Sequence, residues 1–397
     1  MICAMDPRAP ISRRTLLRTS GAVALSLPLT RAATAFGLDD ELARRPQLAA
    51  RIRELMAVAR VPSLAMAVTR GNEVRWASAL GDANVHRGRS ATPDTPYMLA
   101  SVSKTVTGVA AMQAVQDGFV GLDDDIDDVL PWSVRNPNHP GDPITLRQLL
   151  THTSSMRDDW SIFTRFYVRG DSSVPLGGFL RRCLTPPGDL SNGKWWQSVP
   201  PGRRYVYCNE GASLAGFVVE AASGVPFDTW CEDRIFAPLR MRATSWHLAG
   251  LRREKVAMPS RWDGGAKRWT VFGQYGYPDY PDGQLRSSAR SLARFLATFV
   301  GSGRSEHGVR ILDRPLAEEM WRPQVPDLEP GQGLIWYRIR MGGHVVLGHT
   351  GGDSGVSTRM FFRTGDRHGS LLLANAYPRG AEGYRALRTI QGMLLDA

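Results

Sequence analysis

No run of about 20 apolar residues occurs in this 397-residue chain, so no transmembrane helix is expected. Cysteine is scarce: Cys3, Cys183, Cys208 and Cys231 are all there are. Cys3 falls in a basic N-terminal leader, which leaves three, and a disulfide framework is not supported. Lysine is equally scarce. Of 49 basic residues only Lys104, Lys194, Lys255 and Lys267 are lysine, so a lysine at a chosen position is seldom there by chance. The eight histidines form no H-E-x-x-H pair and no Cys/His cluster, so no metal site is expected. No phosphate-cradling glycine loop, internal repeat or low-complexity linker is present, and no cofactor is implied. The net charge is +11, but no block of five like charges occurs. A solvated, mildly basic surface explains this better than nucleic-acid binding.

The first 35 residues carry +4 of that charge. They contain Arg13-Arg14 before Leu16-Leu17, a mildly apolar run from Gly21 to Leu29, and Ala33-Thr34-Ala35. A basic region, an apolar region and an A-x-A-like site read as an export signal of the twin-arginine kind at 1–35. The expectation is a periplasmic or secreted protein, with no stable membrane insertion after the signal is removed. Residues 36–397 are expected to form a single domain.

That domain opens with helical periodicity over 41–59, the helix proper starting after Pro46, and then strand-like runs at 63–69 and 73–80 joined by Arg70-Gly71-Asn72. The far end mirrors this. Runs at 334–341, 345–348, 358–363 and 370–374 read as strands, and 381–395 as a closing helix. Between them, helices are expected at 101–117, 146–151, 210–223, 227–236 and 288–300, with Gly118 and Gly224 as C-terminal caps. The fold class is therefore α+β: one antiparallel sheet built from both termini, flanked by helices, with a helical region inserted. The aromatic-rich segment 160–200 reads either as a lid or as a satellite core.

Three local patterns carry chemistry. Ser101-Val102-Ser103-Lys104 opens an apolar helix, and i, i+3 spacing puts the Ser101 hydroxyl and the Lys104 amine on one face. A lysine can activate a serine if burial lowers its pKa toward neutrality. Alone, the pair also fits a plain N-cap serine. Tyr207-Cys208-Asn209 precedes a helix; a tyrosine and a side-chain amide two positions apart can move a proton and hold a carbonyl, or simply pack and cap. His349-Thr350-Gly351-Gly352 ends a strand-like run, where glycines admit a substrate and backbone N–H groups can face an oxyanion, or form a turn.

Taken in order, with the flanking stretches YMLASVSKTVTG, ITLRQLLTHTSS, PGRRYVYCNEGASLAG and LGHTGGDSG, the chain resembles the serine β-lactamase and penicillin-binding-protein group. It is most similar to the branch holding class C β-lactamases, D,D-peptidases and related esterases. The resemblance runs from about Leu48 to the C-terminus. It implies a site between sheet and helical region and a serine hydrolase that acts through an acyl-enzyme on an ester, amide or D-amino-acid peptide. The substrate would be a small molecule or derive from peptidoglycan. Ser101 would be the nucleophile, and Lys104 and Tyr207 would share general-base work. Asn209, His349, Thr350 and Gly351 would bind substrate, and the N–H groups of Ser101 and Gly352 would form the oxyanion hole.

The sequence departs from the pattern in places. His349 stands where relatives often carry lysine, and a histidine is not a constant positive charge, so an anchor for a substrate carboxylate is weakened. That favours an amidase or esterase over a dedicated β-lactamase. Cys208 takes a place usually held by serine, and alternation turns its side chain away.

Rival readings carry less. Gly352-Asp353-Ser354-Gly355 looks like a trypsin-type nucleophile segment, but that needs an all-β barrel and a triad. The acids at 123–128 lack the glycine and distal glutamate of a calcium loop. A slow-acylating sensor or scaffold is the alternative of a different class.

Overall fold

Pro46 sets the first turn of helix α1 (Pro46–Ala59), since proline at the first helical position gives up an N–H that has no partner there anyway. The computed structural model describes residues 41–397; the expected export signal at 1–35 lies outside them. Two strands come next, β1 (Ser63–Arg70) and β2 (Glu73–Asn84), with the short β3 (Arg89–Ser90) pairing against β2. Gly71 turns the hairpin with a positive φ of 59°, a conformation that costs glycine little. At the far end come β4 (Tyr337–Met341), β5 (His344–Asp353), β6 (Val356–Arg363) and β7 (His368–Ala374), then the closing helix α5 (Gly380–Leu395).

All seven strands form one sheet in the order β4-β5-β6-β7-β1-β2-β3. The termini meet where β1 pairs antiparallel with β7, Leu64 opposite Ala374. This is the architecture expected from sequence.

The residue pattern of β1 explains the layers. Side chains alternate across a strand. Leu64, Met66 and Val68 face one way, into a core shared with α1 and α5. Ala65 and Ala67 face the other, into the larger core of the helical region. Small residues on that face let helix α4 (Ala289–Val300) lie close to the sheet. Beyond it, helix α2 (Ser103–Gln116) is buried along nearly its whole length, packed against α3 (Asn209–Ser223).

Two details differ from the sequence expectation. The strand expected to end at 348 continues as β5 to Asp353, so the glycines lie within a strand and are not a turn. Segment 160–200 divides: Trp195 and Phe163 pack edge to face in the core at 5.6 Å, whereas Trp160 stays 57% exposed at the cleft. Cys183, Cys208 and Cys231 are free and buried. Among the described residues no helix is long and apolar enough to cross a membrane.

Candidate active site

Ser101 sits in a single 3-10 turn, Ala100–Val102, that feeds directly into α2. Ala100 holds a positive φ of 46°, a conformation worth about 1–2 kcal/mol of strain for a residue with a Cβ. The turn is clamped from both sides. The Leu99 N–H donates to the Leu285 carbonyl at 2.8 Å, and the Thr358 hydroxyl donates to the Leu99 carbonyl. Strand β5 presses on the same turn. A Cβ on Gly351 would lie 2.4 Å from the Leu99 carbonyl oxygen and 3.0 Å from the Ser101 nitrogen, so only glycine lets the strand come this close. Gly351 thus lies beneath the serine, and its neighbour Gly352 reaches the cleft wall.

One turn along α2, Lys104 is fully buried. Its Nζ donates to Ser101 Oγ at 3.2 Å, to Asn209 Oδ1 at 2.6 Å and to the Asp282 carbonyl at 2.7 Å, and lies 3.4 Å from Asp282 Oδ2. Every contact is an acceptor, as the three hydrogens of an ammonium require. Burial alone would push the amine down, but Tyr207 and the Asp282 carboxylate outweigh it and hold Lys104 above its ordinary range. The partners that burial brings thus act against the lowering that burial alone would cause.

Tyr207 leads into α3 and stays 37% exposed, with its ring centre 5.2 Å from the Lys104 ammonium. The His152 ring packs on it at 4.5 Å, and the Cys208 N–H donates to His152 Nδ1 at 3.3 Å. Cys208 turns away as expected. Its sulfur accepts the Gly211 N–H at 3.3 Å and caps α3, and burial pushes its thiol well up.

Asn209 bridges two charges. Its Oδ1 takes Lys104, and its Nδ2 donates to Asp158 at 2.7 Å. Asp158 also accepts the Asn209 and Glu210 N–H groups at 2.7 and 3.2 Å, a carboxylate at a helix N-terminus. Asn209 therefore spends one amide hydrogen and its carbonyl inside the protein, leaving one hydrogen for the cleft.

His349 is buried, with Nδ1 2.6 Å from the Thr350 carbonyl. Its ring stands 5.0 Å from that of Tyr337 and 6.2 Å from that of Tyr207. Burial, reinforced by the Lys104 charge, lowers it to about 3, so it is neutral at every physiological pH. It supplies no cation. Thr350 is occupied too: its hydroxyl and N–H both meet the Tyr337 hydroxyl, at 2.9 and 3.0 Å.

Ser101, Tyr207, Asn209, His349 and Thr350 line a two-armed cleft. Ser101, Tyr207, Gly352 and Tyr377 belong to both arms. One arm, about 640 Å³, continues past Asp158, Asp282 and Asp353. The other, about 500 Å³, passes His349 and Thr350 between Glu329 and Arg338. Among the described residues no group of three His, Cys, Asp or Glu is arranged to hold a metal ion. The acids at 123–128 are engaged elsewhere, with Asp123 on Arg147 and Asp125 and Asp127 on Arg135. Ser354 is exposed on the cleft rim.

A family model described as Beta-lactamase matches residues 48–392. The chain belongs to the beta-lactamase family. Penicillin-binding protein 4 of Amycolatopsis lactamdurans is 27% identical over 329 residues, spanning 79% of this chain and 81% of that one. The solved structure of SurE superposes with a TM-score of 0.68 at 26% identity, over 87% of this chain and 75% of SurE. The D-amino acid amidase of Ochrobactrum anthropi SV3, solved with D-phenylalanine, shares the fold with a TM-score of 0.69 at 23% identity, over 88% and 100%. This beta-lactamase-family chain thus has the fold of serine acyl-transfer and hydrolytic proteins.

Sequence reasoning missed Asp158, Asp282, Tyr337 and His152. His152 lies within the THTSS stretch and Asp158 just after it, where nothing local assigns either a role. Asp282 sits in the turn Tyr280–Asp282, 178 residues from Lys104, and only the Pro-Asp-Gly punctuation marks it.

Proposed function

We propose that this protein hydrolyses an ester or amide bond through an acyl-enzyme on Ser101, in the manner of the esterases, D,D-peptidases and amidases. The observation that carries the reading is the buried Lys104 Nζ, 3.2 Å from Ser101 Oγ, with Ser101 at the junction of the two cleft arms. Ser101 Oγ attacks the carbonyl carbon, and its proton passes to Tyr207. The adjacent Lys104 ammonium supplies the compensating charge for that transfer. The oxyanion takes the N–H groups of Ser101 and Gly352. As the carbonyl re-forms, the bond to the leaving group breaks and Tyr207 returns the proton to that group. Water then repeats the sequence on the ester, with Tyr207 as base. Lys104 is therefore the fixed charge of the site, and Tyr207 moves the proton.

A D-amino-acid derivative is the favoured substrate class. SurE, at 25% identity, has been solved with D-Leu, and a fold neighbour is an amidase solved with D-phenylalanine. A neutral His349 weighs against a β-lactam, whose carboxylate calls for a cation. The basic leader at 1–35 supports export to the periplasm or beyond.

The test is a panel of p-nitrophenyl esters, D-amino amides, D-Ala-D-Ala peptides and nitrocefin on the purified protein. Turnover of amides or esters above nitrocefin is expected. A penicillin label that persists for hours, with no turnover of any substrate, would contradict hydrolysis and identify a slow-acylating binder.

A further inference from the structure

Residues 36–397 carry a net charge of +7, the +11 of the chain less the +4 of its first 35 residues, yet the wall of the larger cleft arm is acidic. Asp158, Asp282 and Asp353 line it against a single basic residue, Arg261, at the rim. Two of the three acids have work already: Asp158 caps α3 and holds Asn209, and Asp282 faces Lys104. Asp353 is different. It is the last residue of β5, two positions beyond Gly351, and so projects on the same side of the strand. That side faces the Ser101 turn, since a Cβ on Gly351 would lie 3.0 Å from the Ser101 nitrogen. A strand advances about 7 Å over two residues, which sets Asp353 that far along the cleft from the nucleophile.

The Asp353 carboxylate accepts only neutral donors. The Tyr167 hydroxyl lies 3.3 Å from each oxygen, and the Ser354 N–H donates at 2.6 Å. No salt bridge of the described residues involves it, although the buried Lys104 ammonium acts on it at longer range. Around it the wall is aromatic. Tyr167 lies against Tyr275 and Tyr277 with ring centres 5.6 and 4.9 Å apart, and Trp160, Phe272 and Tyr377 line the same arm. Nearby, Asp282 Oδ1 is buried without a partner and belongs to a residue of this arm. A carboxylate backed by phenols and faced by aromatic rings is a receptor for an organic cation, which gains from both charge and ring faces. A substrate carboxylate here would meet repulsion.

We infer that Asp353, about 7 Å along β5 from the strand position beneath Ser101, is a specificity-determining residue that receives a substrate ammonium group, so that this enzyme prefers amine-bearing substrates. The inference rests on the proposed Ser101 chemistry. Asp353 does no chemistry itself; it selects and positions.

The experiment compares matched substrates that differ only in the cation. D-Phenylalanine p-nitroanilide against its N-acetyl form tests an ammonium on the acyl side. Acetylthiocholine against 3,3-dimethylbutyl thioacetate tests a cation on the leaving side. In at least one pair the wild-type protein should favour the cation in kcat/KM, mainly through KM. In Asp353→Asn the ratio within that pair should fall by about 10- to 100-fold, and Asp353→Glu should restore part of it. Because the readout is a ratio, a general loss of folding does not imitate it. Equal use of both members of each pair by the wild type, or a ratio unmoved in Asp353→Asn, overturns the inference while leaving Ser101 chemistry intact. Absence of turnover and of phosphonate labelling in the wild type overturns the Ser101 reading itself.

Discussion

Replacing Gly351 with alanine puts one methyl group into space that strand β5 and the serine turn already fill. The new Cβ would lie 2.3 Å from Thr358 Oγ1, 2.4 Å from the Leu99 carbonyl oxygen and 3.0 Å from the Ser101 nitrogen. Two of these are backbone atoms and cannot rotate away. Ordinary contact needs about 3.5 Å, so β5 and the turn must separate by roughly 1 Å. Overpacking of that kind costs about 1–3 kcal/mol of stability, a loss that a chain with this much buried core survives. The kinetic cost is larger in kind. A displacement of about 1 Å between nucleophile and supporting groups can reduce a chemical step about 100-fold, and here it would part Ser101 from Gly352, the two proposed oxyanion donors. The assay is the rate of acylation by a fluorescent phosphonate at about 20–30 °C below the unfolding midpoint of the variant. Loss of about 100-fold with a cooperative, modestly lowered melting transition is expected. Acylation within about threefold of wild type would refute the claim that strand proximity positions the nucleophile.

Lys104→Ala should reduce kcat/KM by about 10²- to 10⁴-fold, and should leave Asp282 without its cation; turnover close to wild type in a folded variant would contradict its place in the site. Tyr207→Phe should slow acylation by a comparable factor while retaining the fold, since the Tyr207 side chain is 37% exposed; unchanged acylation would remove it as the proton carrier. Burial raises the Asp282 carboxyl to about 6, with Lys104 pulling it partly back. Protonation below that point removes the counter-charge of Lys104, so kcat/KM should rise through an acid limb near pH 6 that is absent in Asp282→Asn. Between the ordinary carboxylate value and 6 the folded state binds more protons than the unfolded state, so the Asp282 contribution to stability falls as pH rises through that window. Trp336, fully buried and stacked on Phe299 at 4.1 Å, should cost about 3–5 kcal/mol when replaced by alanine, read from chemical denaturation.

The fold was legible because its signals are local. The strand-like runs of β1 and β2, the Gly71 turn and the closing helix all lie within short windows, and the sheet built from both termini follows from their mirror arrangement. The extension of β5 to Asp353 was not legible. Glycines 351 and 352 read either as a strand end open to substrate or as a turn, and only the pressure of the serine turn on the strand explains why glycine belongs inside it. The pair Ser101 and Lys104 could be read from helical spacing. Their electrostatics could not, because the charge state of Lys104 is set by Asp282 and Tyr207, which are remote in sequence. The same holds for His349. Its identity was visible at once, but its neutrality comes from burial beside Lys104. Asp158 and Asp353 were plain acids in sequence and acquire meaning from the helix end and the aromatic wall they meet.

The central claim is that Ser101 is the nucleophile. Intact-mass measurement with peptide mapping, after brief exposure to a fluorophosphonate, tests it most directly. A single adduct on the peptide containing Ser101 is predicted, with no adduct in a Ser101→Ala protein that unfolds at the wild-type temperature. An adduct on another residue, or labelling that survives Ser101→Ala, would contradict it.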